Sequence, residues 1–208
     1  VVGPLAWQPS LFGGGDEAPA IDPGFTGLRR SELAEGAWVD VVPGWVRGAD
    51  ALFETMLERT PWRGREVHMY ERTVVEPRLT HRWVLAERPE LPDPVLVRMA
   101  TVLSGRYGVE FTQVGANLYR DGADSVAWHG DRVARDLETA TVALVSLGGV
   151  RPFRLRPAAG GPSVRFLPGP GDLLVMGGSC QRTWRHSVPK ARTAAARISI
   201  QFRHAYKG

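Results

Sequence analysis

His129, Gly130 and Asp131 follow one another at the end of a strand-like run over 125–130. Residues two apart on an extended strand project to the same face, so His129 and Asp131 can reach one cation while Gly130 turns away. A third candidate ligand, His186, falls on a later strand-like run about one sandwich width further along. Two imidazoles and one carboxylate on a single face leave the opposite coordination positions open, as a non-haem Fe(II) needs for a bidentate oxo acid and dioxygen. Zinc on the same three ligands would hydrolyse rather than oxidise, so the ligand set alone does not name the metal.

The last strand-like run supplies a second kind of chemistry. In Arg197-Ile198-Ser199-Ile200-Gln201-Phe202-Arg203 the polar residues occupy one face and the apolar residues the other. Two guanidinium groups turned inward are costly unless an anion meets them. A dicarboxylate such as 2-oxoglutarate offers two anionic ends, one to chelate iron and one to pair with an arginine. The plainer reading is an edge strand with two solvated arginines.

These side chains need a scaffold. From about 111 onward the chain alternates short strand-like runs with turn residues, giving candidate strands at 113–120, 125–130, 139–147, 151–157, 163–168, 172–177, 181–187 and 195–204. Asp121-Gly122, Gly148-Gly149, Gly160-Gly161 and the Pro168–Gly171 block mark the turns. Eight such strands predict an antiparallel sandwich of the jelly-roll kind. Two helices precede it. One runs near 49–60, with Leu52, Phe53, Met56 and Leu57 at helical spacing and Pro61 as its stop. The other runs near 94–106, with Asp93 placed to cap it and Gly105 and Gly108 suited to its end. The fold class is thus α+β but mainly β, with the helices covering one sheet. Residues 1–30, rich in Gly, Pro and Asp, read as an irregular arm anchored by Trp7, Leu11 and Phe12. The division expected is a single domain over 1–208: the arm, a helical support and substrate-recognition segment over 31–110, and the barrel core over 111–208.

Composition narrows the setting. No apolar run approaches the roughly 20 residues that a membrane helix requires, and the amino-terminal stretch lacks the pattern of a secretory signal. The single cysteine, Cys180, excludes an internal disulfide and fits a reducing cytoplasm. The net charge is +4 with a pI near 9.7, and Lys occurs only at Lys190 and Lys207. Such a balance favours anionic partners, though an Arg-preferring genome produces the same count.

Taken in order, Asn117-x-Tyr119, His129-x-Asp131, His186 and Arg197-x5-Arg203 resemble the AlkB family of Fe(II)/2-oxoglutarate-dependent dioxygenases. The stretches Asn117–Gly122 and Gln181-x-x-Trp184-x-His186-Ser187-Val188-Pro189-Lys190 carry the same likeness. It spans about 110–204, and more loosely 62–83 through Glu76-Pro77-Arg78. The resemblance implies a double-stranded β-helix with iron on His129, Asp131 and His186. It further implies that Arg197 pairs with the distal carboxylate of 2-oxoglutarate, helped by Tyr119 and Ser199, while Asn117 and Arg203 sit nearer the iron-bound end. Where the family commonly has Asn, this chain has Ser199.

By the same likeness, the reaction is oxidative removal of an N-alkyl group with O2, giving succinate, carbon dioxide and formaldehyde. The substrate would be an alkylated base in single-stranded or flipped-out nucleic acid, since a base stacked inside a duplex is out of reach. Met69, Tyr70, Pro77, Arg78 and Trp83 cluster before the barrel as its expected cradle, with Trp83 opposite His129 as the expected stacking pair. Arg63, Arg65, Arg72, Arg78 and Arg82 can meet phosphates, or form a solvated face. Val133 stands where the family's repair members carry an acidic residue that meets the base. This departure keeps open a hydroxylase or demethylase of a protein or small molecule. A barrel that only binds is the third reading, and a complete ligand trio with both arginines argues against it.

Overall fold

The computed structural model of the chain describes residues 5, 7, 17–69, 72–131 and 137–204, with side chains described outside 65–75. Leu11, Phe12, Tyr70 and Val133 lie outside the described residues. In chain order the elements are β1 (Ala20–Ile21), β2 (Arg29–Glu32), β3 (Ala37–Val42), β4 (Val46–Arg47), α1 (Ala49–Arg59), β5 (Arg63–Met69) and β6 (Arg72–Val84). There follow α2 (Val95–Tyr107), β7 (Gln113–Tyr119), β8 (Val126–His129), β9 (Val142–Gly148), β10 (Phe153–Pro157) and β11 (Val164–Phe166). The chain continues through β12 (Leu173–Gly178), a single turn α3 (Cys180–Thr183), β13 (Trp184–Val188) and β14 (Arg197–Arg203).

The strands form a broad eight-stranded sheet, in the order β2-β3-β12-β9-β14-β7-β6-β5, and a small sheet in the order β11-β10-β13-β8. A two-stranded ribbon pairs β1 with β4. Among the described residues the strand pairings are antiparallel, and the two sheets face each other as a jelly roll. Alternation along each strand divides the side chains into two cores. Val114, Ala116 and Leu118 of β7 and Ile198, Ile200 and Phe202 of β14 face the helices, joining Leu52, Phe53 and Met56 of α1 and Leu96, Met99 and Leu103 of α2. Each such buried side chain stabilises the fold by roughly 1.5–3 kcal/mol. Tyr119, Val126, Leu144, Phe153, Leu155, Trp184 and Val188 fill the space between the sheets.

The helices begin and end as the sequence predicts, within a residue or two. Asp93 accepts the backbone N–H of Val95 at 2.8 Å, and α2 closes on Gly108 at φ 65°. The turn after β9 depends on Gly148, at φ 73°, because a Cβ there would lie 2.6 Å from the Ala196 carbonyl oxygen and 2.7 Å from the Phe53 ring. Trp7 stacks on Phe53 at 4.5 Å, and Leu5 packs on the same core.

Two elements differ from the sequence expectation. Residues 180–183 form a helical turn before β13 rather than strand, because Gly178 takes φ 61° and the Thr183 N–H donates to the Ser179 carbonyl at 2.9 Å. More substantially, residues 31–110 are not chiefly helical support. Four strands of the broad sheet, β2, β3, β5 and β6, precede residue 111. Their apolar alternation is interrupted by Arg, Glu and Pro, so pairing rather than pattern defines them. Among the described residues no helix is long and apolar enough to cross a membrane.

Candidate metal centre and anion pocket

The small sheet carries two of the three candidate ligands on hydrogen-bonded neighbours. His129 ends β8, and its register partner on β13 is His186, with an irregularity between His186 and Val188 that shifts the pairing. The two rings lie 4.2 Å apart between centroids. Asp131 follows one residue beyond the Gly130 turn, and the ligand atoms of His129, Asp131 and His186 all lie within 4.8 Å of one another. A single cation can therefore meet all three.

Gly130 is required by close approach. A Cβ there would come 2.6 Å from an Arg185 guanidinium nitrogen and 2.9 Å from the Gln181 carbonyl oxygen. Gln181, only 2% exposed, also accepts the Asp131 backbone N–H through Oε1 at 3.3 Å, which fixes the carboxylate's approach.

The electrostatics favour a cation. Burial pushes His186 down to about 3, with the neighbouring His129 and the arginines beyond it adding to the effect against Asp131. Burial likewise lowers His129, opposed by its bond to the Ala127 carbonyl. Both imidazoles are thus neutral at physiological pH, the form that ligates metal. The His129 Nδ1–H donates to the Ala127 carbonyl at 2.9 Å, which leaves the Nε2 lone pair for a metal. Burial raises the Asp131 carboxyl, but the Arg203 guanidinium beside it, by charge and by hydrogen bond, outweighs that and holds the group at about 2. Arg203 contributes a two-pronged contact, Nε to Oδ2 at 3.1 Å and a terminal nitrogen to Oδ1 at 3.3 Å.

The anion pocket is built on the broad sheet. Along β14 and β7, Arg197 faces Tyr119, Ser199 faces Asn117 and Arg203 faces Gln113 in register, all on the side towards the small sheet. Arg197 is 1% exposed, and its Nε donates to the Ser146 hydroxyl at 2.9 Å. Its NH2 nitrogen is buried with no hydrogen-bond partner, and its guanidinium lies 5.5 Å from the Tyr119 ring centroid. Burial pulls this guanidinium down to about 10, and the nearby Arg151 cation adds to the fall. A buried cation with an unused donor calls for an anion, and the distal carboxylate of 2-oxoglutarate has the matching charge and acceptors. Ser199 accepts a bond from Gln201 Nε2 at 2.8 Å, while Asn117 is half-buried. Gly115 makes room for this layer, its position lying 3.2 Å from both Arg203 and Gln201 side chains when a Cβ is added.

Sequence reasoning missed Ser146 and Arg151, and placed Gln181 in a motif without giving it a role. Arg151, 1% exposed, donates to the backbone carbonyls of Asp121 at 2.7 Å and of Asp124 and Pro189 at 2.8 Å. It thereby ties the loop between Tyr119 and His129 to the segment after His186. No local signal marks it, because its partners are backbone atoms distant in sequence. Cys180 is buried and pushed up to about 12 by burial, so it is an inert packing residue.

The expected substrate cradle is only partly assembled. Arg78 pairs with Glu76 at 3.0 Å on the site face of β6, and its charge reaches both imidazoles. Met69 ends β5, and its side chain, like Tyr70, falls outside the described set. Pro77 and Arg82 are exposed. Trp83 requires a correction. It pairs with Val114, is 4% exposed and belongs to the helix-side core, so the broad sheet stands between it and His129. It also meets His81 edge-on at 4.6 Å. The alternation along β6 turns Leu79, His81 and Trp83 to the helices and Arg78, Thr80 and Arg82 to the site.

Comparison with known proteins agrees with this geometry. Residues 80–203 match the model of the 2OG-Fe(II) oxygenase superfamily. The chain is 30% identical over 190 residues to alpha-ketoglutarate-dependent dioxygenase alkB homolog 3 of Bos taurus, covering 81% of this chain and 66% of that protein. It is 32% identical over 119 residues to DNA oxidative demethylase ALKBH2 of Homo sapiens, covering 53% of this chain and 46% of that one. The chain thus spans just under two thirds, or less, of these relatives. In fold it is similar to a 2OG-Fe(II) oxygenase family oxidoreductase from Burkholderia pseudomallei, with a TM-score of 0.56 at 19% identity over 79% of this chain and 84% of that one. It is also similar to a Trichoplax adhaerens prolyl hydroxylase, with a TM-score of 0.58 at 12% identity over 79% and 83% of the two chains. From the ligand trio, the anion pocket and these matches together, the chain belongs to the 2OG-Fe(II) oxygenase superfamily, as a member of its AlkB family.

Proposed function

We propose that the chain removes N-alkyl groups oxidatively from bases in single-stranded or flipped-out DNA or RNA. The observation that carries the chemistry is the pairing of the His129, Asp131 and His186 cluster with the unpartnered NH2 of buried Arg197. Fe(II) and 2-oxoglutarate, when bound, supply the oxidation of the alkyl carbon by dioxygen, with succinate and carbon dioxide formed and the base freed as formaldehyde departs. The base as substrate is supported by the likeness to a protein named as a DNA oxidative demethylase.

The chain's own residues divide the work. His129, His186 and Asp131 hold the metal, and Arg203 keeps the Asp131 carboxylate ionised and turned to it. Arg197, braced by Ser146, orients the cosubstrate's far carboxylate, with Tyr119 as one wall. Asn117 and Ser199 line the space between. Arg78, Thr80 and Arg82 form the rim over which the substrate enters, and the closed jelly roll keeps bulk water from the reacting carbon.

The test has two parts. Anaerobic addition of Fe(II) and 2-oxoglutarate should give a weak visible charge-transfer band, and no band would remove the oxidative reading. Formaldehyde release from oligonucleotides carrying 1-methyladenine or 3-methylcytosine then decides the substrate class. Succinate formed without formaldehyde from any methylated DNA or RNA would favour a protein or small-molecule substrate, the outcome that Val133 keeps open.

A further inference from the structure

The small sheet turns Phe153, Leu155, Trp184, His186 and Val188 inward, so Arg154 and Arg156 of β10 and Arg185 of β13 project outward. Arg165 of β11 joins them, because its neighbour Phe166 packs inward. The register sets these arginines directly against one another. Arg154 is the cross-strand partner of Arg165, and Arg156 is the partner of Arg185. Like charges directly opposed across a sheet destabilise it, yet two such pairs stand side by side. Among the described residues none of the four makes an ion pair, and the Nε of Arg154 is buried without a hydrogen-bond partner. The face is therefore short of negative charge.

The same face leads to the reaction centre. The Arg185 guanidinium lies against Gly130, between two metal ligands. Arg156 sits 4.4 Å from the ring centroid of the half-buried Trp128, the residue before His129. From Arg185 the charges run across β10 to Arg165 on β11, the outermost strand. Strands ~4.8 Å apart and alternate residues ~6.8 Å apart give the four arginines a footprint of roughly 10 by 7 Å. Guanidinium forks at that spacing, with an aromatic ring among them, suit a phosphodiester chain with unstacked bases.

We propose that the outer face of the small sheet is a phosphate track, gripping the single-stranded nucleic acid that flanks the target base as it leaves the site. This rests on the nucleic-acid reading above. The track is specific to strand chemistry rather than to base identity, so it raises affinity for oligonucleotides of any sequence.

The experiment measures binding of unmethylated and methylated single-stranded oligonucleotides by the metal-loaded full chain, as a function of salt. Arg165 and Arg185 are exposed, and Arg165→Gln with Arg185→Gln removes one member of each opposed pair without opening the core. Each lost phosphate contact should flatten the log–log salt dependence by ~0.7, so the double variant should lose ~1.4 in slope. At ~0.15 M salt that corresponds to about tenfold weaker binding. The Arg165→Lys, Arg185→Lys protein should retain most of the slope, and the thermal midpoint of the Gln variant should not fall. An unchanged slope and affinity in the Gln variant, with oligonucleotide turnover intact, would overturn the track and leave the nucleic-acid reading standing. Failure of the unaltered protein to bind any oligonucleotide would overturn both. A poly-aspartate peptide that bound more tightly than the oligonucleotide, with the same arginine dependence, would assign the face to an acidic protein and overturn it too.

Discussion

Replacing Arg197 with Met should move cosubstrate affinity and the stability of the cofactor-free protein in opposite directions. A guanidinium held at about 10 instead of the usual 12.5 remains protonated at neutral pH but carries the cost of its burial. At 1.36 kcal/mol per pKa unit, that cost is about 3 kcal/mol. The Ser146 bond and the surrounding ring relieve part of it, so removing the charge should stabilise the metal-free protein by about 1 kcal/mol net. For a domain of this size, about 1 kcal/mol raises the thermal midpoint by about 2–4 °C. The same change removes the buried, unpartnered NH2 donor that the proposed function assigns to the cosubstrate. One or two charge-assisted bonds at about 1.5–3 kcal/mol each correspond to roughly a hundredfold weaker 2-oxoglutarate binding. Calorimetric titration of the metal-loaded protein reads the affinity, and scanning calorimetry of the apo protein reads the midpoint. Binding within threefold of the unaltered protein, or an apo midpoint several degrees lower, would refute the assignment of Arg197 as a cation waiting for a carboxylate.

Three further outcomes follow from the geometry. Trp83→Ala should cost about 3–5 kcal/mol of stability through the cavity it leaves in the helix-side core, with oligonucleotide affinity of the folded protein unchanged; weaker base binding at unaltered stability would restore a stacking role. Arg151→Ala removes the donor from three backbone carbonyls, one in a fully buried bond and two in partly buried ones, and should lower stability by about 3 kcal/mol, with Arg151→Lys recovering part of it. Asp131 has a folded pKa of about 2, below its unfolded value, so the stability it contributes is present above about pH 4 and disappears as pH falls towards 2. Arg203→Met should lift the Asp131 pKa, since burial then acts with less opposition, and move that acid loss to higher pH in an equilibrium titration of the apo protein.

The legible parts of the sequence were those governed by short-range rules. A His-x-Asp pair and the strict alternation of 197–203 each state which side chains share a face; the register bears out the second, whereas Asp131 lies just past the end of β8 and joins His129 and His186 by way of the Gly130 turn. The eight barrel strands were legible for the same reason, since Gly and Pro turns delimit them. The β5–β6 hairpin was less so, because its pairing with β7 is settled by long-range contact and its sequence is interrupted by several arginines. Trp83 was misplaced because proximity along the chain says nothing of strand parity: it shares a face with Leu79 and pairs with Val114, on the opposite face from Thr80 and Asn117. Arg151 and Ser146 carried no signal at all, as their partners sit 22 or more residues away.

The β5–β6 hairpin ends the broad sheet, with β5 as its outermost strand, whereas His129 and His186 lie on the paired strands β8 and β13, with Asp131 just beyond, and Arg197 and Arg203 lie on the interior strand β14. Under the proposed function, with the hairpin as the substrate rim, selectivity and reactivity are carried on separable parts of one scaffold. A lineage can redraw the margin that greets a new substrate, residue by residue, while the oxidative machinery stays untouched. The same separation offers a route to redirecting the protein: graft a different hairpin, and keep the hearth.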